Sequence, residues 1–94
     1  MLFRSSPALR YEAARAAGEL GSLELVTPLI ELTRDHDPEV RLASIWALGQ
    51  VGGQEASRTL KALSNSESET VLEAAKEALS EIAYSKNPLN VLGI

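Results

Sequence analysis

The chain contains no cysteine, a single histidine, a single tryptophan and only 4% aromatic residues in 94 positions. Without cysteine there is no disulfide framework, no thiolate nucleophile and no thiolate metal site, although the redox compartment stays open. Long apolar runs are missing too. The longest, Ile45 to Leu48, has four residues, far short of the roughly 20 that span a bilayer. The N-terminal stretch MLFRSSPALRYE lacks the apolar centre of a secretory signal. Positive charge is also scarce: 9 lysines and arginines stand against 13 acidic residues, a net charge of −4. Such a chain is repelled by phosphate backbones and anionic lipid. These absences argue against a membrane span, a membrane surface and nucleic acid as partners, and they make the cytoplasm the expected location. What remains, 45% hydrophobic and 23% charged, is the composition of one soluble domain with a thin core.

Shifted against itself by 31 positions, PALRYEAARAAGELG from Pro7 aligns with PEVRLASIWALGQVG from Pro38, and then with ETVLEAAKEALSEIA from Glu69. Identities at this offset include Pro7 with Pro38, Arg10 with Arg41, Ala16 with Ala47, Gly18 with Gly49, Gly21 with Gly52, Leu29 with Leu60 and Leu32 with Leu63. One register kept across two units is an internal repeat.

Each unit divides into two helical halves. The first begins at a cap residue, Ser6, Asp37 or Ser68, whose oxygen can accept from a free backbone N–H, and proline follows twice at a position with no donor to lose. It ends at Gly21, or at Gly52 and Gly53, which can take the left-handed conformation that closes a helix. In the middle unit Val40, Ala43, Ala47, Leu48 and Val51 recur at helical spacing and predict a buried face, with small alanines that let a neighbouring helix approach. Opposite them lie Leu42, Ile45 and Trp46. The second half carries Leu25, Leu29 and Leu32, answered by Ala56, Leu60 and Leu63, on a helix made antiparallel by the short joining turn. Pro28 falls about one turn in, where it costs little or kinks the start. Five helices are predicted near residues 7–20, 23–34, 38–51, 54–64 and 69–84, with no strand and a loose tail over 85–94.

A two-helix unit of about 30 residues cannot bury its apolar stripe alone, so units stack side by side. The predicted fold is all-α, an α-solenoid of about two and a half repeats. Repeat 1 covers 6–36, repeat 2 covers 37–67, and a capping helix covers 68–84. Glu73, Lys76 and Glu77 make the last helix polar where the middle one carries Leu42, Ile45 and Trp46. Met1 falls in register with Leu32 and Leu63, so either further N-terminal repeats or self-association is expected to cover that end.

The run VRLASIWALGQVG, followed by a leucine-rich helix, and the preceding turn DHDPEV resemble the short HEAT-like repeats of the phycobilisome-lyase class. The likeness covers residues 6–84 and rests on the spacing of Pro38, Val40, Arg41, Ala43, Ala47, Leu48, Gly49 and Gly52. It loosens in the third unit, where Leu72 replaces the arginine and Ala83 the glycine. The ankyrin alternative, suggested by TPL at Thr27 to Leu29, lacks the hairpin residues that should follow, and tetratricopeptide repeats need a different length and aromatic pattern. The resemblance implies an array that binds other proteins along a curved surface lined by the second helices. It also implies an alternative role as an accessory domain of a phycobilin or other chromophore lyase.

No catalytic constellation emerges. His36, between Asp35 and Asp37, reads as a solvated turn residue, since a metal site would need more converging ligands. The serines of SNSES have no base within reach and read as linker and cap residues. Arg10 and Arg41 read either as a basic ladder for an anionic partner or as an internal ladder tying each helix start to its turn; their periodicity favours the latter. Trp46 reads as inter-helix packing or as a partner contact. The candidate binding surface is the polar side of the second helices: Thr27, Glu31 and Arg34 in one unit and Arg58, Lys61 and Asn65 in the next, with Val26 and Ile30 beside them. The expectation is a non-enzymatic scaffold for a protein or peptide partner, with partner-binding residues Glu31, Arg34, Trp46, Arg58, Lys61 and Asn65, and with no cofactor or metal.

Overall fold

Three side-chain oxygens, 31 positions apart, set where the long helices begin. Ser6 Oγ accepts from the Leu9 N–H at 3.3 Å, Asp37 Oδ1 from Glu39 and Val40 at 2.8 and 3.3 Å, and Ser68 Oγ from Val71 at 3.3 Å. The computed structural model describes residues 5–86. It contains α1 (Pro7–Leu20), α2 (Val26–Leu32), α3 (Pro38–Val51), α4 (Gln54–Leu63) and α5 (Glu69–Lys86), with no strand among the described residues. The predicted register of Met1 and most of the predicted tail lie outside those residues.

Three boundaries differ from expectation: α2 ends at Leu32 rather than near residue 34, and two others differ for identifiable reasons. The first second-half helix does not run from residue 23. Residues Leu23–Leu25 form a tight 3-10 turn and α2 starts only at Val26. Pro28 lacks an N–H and its ring would clash with the carbonyl four residues earlier, so a regular helix cannot extend back through Glu24. At the other end α5 continues through Ser85 and Lys86, two residues expected in the tail; the Ser85 hydroxyl donates to the Glu81 carbonyl at 2.8 Å and rides on the final turn.

The glycine stops also split. Gly21, at φ 68° and ψ 24°, is left-handed and donates to the Ala17 carbonyl at 3.0 Å. Gly52 and Gly53, at φ 76° and 94°, pair positive φ with extended ψ of −161° and 170°. That is not the left-handed helical region expected for them, and it is open essentially to glycine alone. Two such residues in succession swing the chain straight into α4.

The helix pairs stack as an α-solenoid. α1, α3 and α5 lie side by side in one layer, while α2 and α4 form the second, α2 against α3 and α4 against α5. α3 is therefore the middle of the structure. Val40, Ala43, Ala47 and Leu48 are buried as expected, but so is Ile45, which the sequence placed on the far face. A helix flanked on both sides keeps only a narrow outer edge, where Leu42 and Trp46 are half-buried and Gln50 is exposed, and Ile45 is turned toward a neighbour. Among the described residues α1 is covered on one side only: Ala16 and Leu20 are exposed, the latter by 74%, while their equivalents Ala47 and Val51 are buried and half-buried.

The close approach within the α1–α3–α5 layer depends on two glycines at equivalent positions. A methyl group on Gly18 would lie 2.5 Å from the Trp46 ring and 2.9 Å from the Ala47 Cα; one on Gly49 would lie 2.7 Å from the Ala78 Cβ and 2.9 Å from its Cα. Ala47 and Ala78 are themselves 31 positions apart. The same glycine-on-alanine contact is thus made twice, and it fixes the step from one unit to the next.

Candidate partner-binding surfaces

The turns between units are built before any surface is offered to a partner. Arg10 on α1 donates from Nε to Asp35 Oδ2 at 2.7 Å and from Nη2 to Asp35 Oδ1 at 3.0 Å, and its Nη1 donates to the Ser5 carbonyl. The two side chains are only 13% and 8% exposed. Their hydrogen bond raises the Arg10 guanidinium above its ordinary value and holds the Asp35 carboxyl below the usual carboxylate range. Burial opposes the latter effect, and the Asp37 N–H, donating to Asp35 Oδ1 at 2.9 Å, reinforces it. Arg41 donates to the carbonyls of Asp35 and His36 at 2.8 and 3.2 Å.

The arginine ladder is therefore internal, with one difference from expectation. Arg10 holds the turn before its own helix and also reaches forward to the carboxylate of the next turn. Proximity in sequence points to the preceding turn; the forward partner, 25 residues away, has no local signal. His36 is exposed in this turn and offers only its carbonyl to the ladder.

Of the expected binding residues, Glu31, Arg58 and Lys61 are exposed on α2 and α4, with Thr27 beside Glu31. Arg34 and Asn65 are exposed as well, but they sit in the turns that follow those helices rather than on them. None of the five takes part in an ion pair, since the single pair among the described residues is Arg10 with Asp35. The apolar neighbours behave differently. Val26 is 5% exposed and belongs to the core, and Ile30 is half-buried against it.

Trp46 is not brought together with these residues. It lies in the other layer, half-buried, with its ring over Gly18 and the Arg15 guanidinium 4.1 Å from the ring centroid. Packing between neighbouring helices accounts for much of its surface. The remainder borders a groove against α5. The stack on Arg15 was missed in the sequence, although its signal was available: positions 15 and 46 differ by one repeat.

No helix among the described residues is long and apolar enough to cross a membrane. A family profile for HEAT repeats matches residues 1–80. No curated protein matches the chain.

Proposed function

This chain belongs to the HEAT-repeat family, whose arrays generally serve as protein-interaction scaffolds, and from that premise we propose that it docks a protein or peptide partner through the surface of α2 and α4, without catalysis of its own. The observation that carries this reading is the contrast between the two sets of charges. Arg10 and Asp35 are consumed in holding the turns, whereas Glu31, Arg34, Arg58 and Lys61 are exposed and free of ion pairs among the described residues, and the neutral Asn65 is exposed as well. A rigid stack that leaves charges of both signs unpaired on one layer presents a surface suited to orienting a partner, while a few buried anchors supply most of the affinity. Nothing in the described residues favours the accessory role in chromophore attachment that the resemblance implied.

The test is a double charge reversal, Arg34→Glu with Arg58→Glu, compared with the unmodified protein in affinity capture from native lysate. Both side chains are exposed, so thermal stability is expected to stay unchanged. Loss of specifically captured protein with the fold intact supports this surface; an unchanged set of captured proteins rules it out.

A further inference from the structure

Between α3 and α5, in the layer opposite the surface just described, runs an open groove of about 690 Å3. Leu42, Trp46 and Ala74, all half-buried, supply its apolar wall, and Glu73, Glu77 and Glu81 stand along its α5 side. These glutamates recur every fourth residue, so they form one stripe with steps of about 6 Å along the helix axis. All three are exposed, and none is ion-paired among the described residues. Like charges at this spacing disfavour the helix that carries them.

The repeat register supplies a second observation. Arg15, Trp46 and Glu77 occupy the same position in three successive units. On its α1 side the Trp46 ring already holds a cation, the Arg15 guanidinium at 4.1 Å. On its α5 side the corresponding residue is a carboxylate. A cation arriving there would meet an aromatic ring and three unpaired negative charges together, both of which attract it.

We propose that the α3–α5 groove is the docking site for a basic amphipathic helix of a partner protein. Lysines or arginines spaced every fourth residue lie along Glu73, Glu77 and Glu81, and the aliphatic side chains between them rest on Leu42 and Trp46. The chain's own residues 87–94, NPLNVLGI, contain neither lysine nor arginine, so they do not supply this charge.

Trp46 is the only tryptophan, which makes its emission a direct readout. The probe is a synthetic helical peptide without tryptophan, carrying lysine at every fourth position with leucines alongside, titrated into the intact protein. A saturable blue shift is expected, with a Kd of about 10–100 μM. The triple variant Glu73→Gln, Glu77→Gln, Glu81→Gln removes three exposed, unbonded charges and retains the fold by circular dichroism, and it binds roughly tenfold more weakly. The Arg34→Glu, Arg58→Glu variant binds the peptide at least as well as the unmodified protein, which separates this site from the α2–α4 surface. The proposal is overturned by the lack of any saturable shift up to about 1 mM peptide, by equal binding of a peptide with glutamate in place of lysine, or by full affinity in the triple variant. Self-association of the protein that disappears in the triple variant would assign the groove to a second copy and equally overturn it.

Discussion

Replacing Gly49 with alanine should destabilise the protein even though it improves the helix. Alanine in place of glycine inside a helix is worth about 1 kcal/mol by propensity. Here the added methyl carbon would lie 2.7 Å from the Ala78 Cβ, 2.9 Å from its Cα and 3.1 Å from its carbonyl oxygen. Carbon atoms rest at about 3.5–4.0 Å, so α3 and α5 would have to part by about 1 Å. Two of the three obstructing atoms belong to the backbone, and no rotamer change can clear them. Overpacking of this kind costs about 1–3 kcal/mol, and the rigid obstruction selects the upper part of that range. The net loss is about 1–2 kcal/mol, which in a domain of this size lowers Tm by roughly 4–16 °C. Thermal unfolding followed by far-UV circular dichroism measures it. Combining the change with Ala78→Gly removes the nearest contact, so Gly49→Ala should cost less in that background, with a coupling of at least about 0.5 kcal/mol. A rise in Tm for Gly49→Ala alone, or a coupling of zero, would show that the helices are not held at this distance by the glycine and would refute the reasoning.

Acid should weaken the turn held by Asp35, and only once pH falls below the ordinary aspartate range. Its carboxyl titrates lower in the folded chain than in the unfolded one, so the stabilisation is complete above the ordinary aspartate value of about 4 and is lost as pH falls through the folded value. Arg10, raised further by the same bond, stays charged throughout that window. The unmodified protein should therefore lose more stability than Asp35→Asn between about pH 5 and pH 2; parallel urea-denaturation curves for the two would contradict this assignment. A gain is predicted from Ser66→Asp. Ser66 stands one repeat after Asp35, and its hydroxyl accepts from the Ser68 N–H at 3.0 Å as Asp35 accepts from Asp37. An aspartate there keeps that turn and offers Arg41 the carboxylate that Arg10 already has. Tm should rise by up to about 5 °C at low salt and less at high salt, and a neutral or salt-independent result would deny the equivalence of the two turns.

What the sequence made legible was whatever repeats. The caps at Ser6, Asp37 and Ser68, the glycine stops and the leucine stripe of the second helices are local or periodic, and the structure realises them within a residue or two. Ile45 is buried against expectation because a helical wheel has one buried side, while a helix with neighbours on both flanks keeps only a narrow free edge. The reach of Arg10 to Asp35 joins elements 25 residues apart, and no spacing rule encodes it. Among the binding candidates, exposure of Arg58 and Lys61 followed from the polar side of a single amphipathic helix. The separation of Trp46 from them did not, because it depends on which layer each helix joins.

The Arg10 guanidinium touches two consecutive loops at once, Ser5 behind it and Asp35 ahead. Loops tied to a common post cannot swing independently, so bending there is shared rather than local. Ahead of α5 the corresponding position holds only serine hydroxyls. The turn ahead of α5 therefore lacks the tie that couples the turn ahead of α3 to the start of α1.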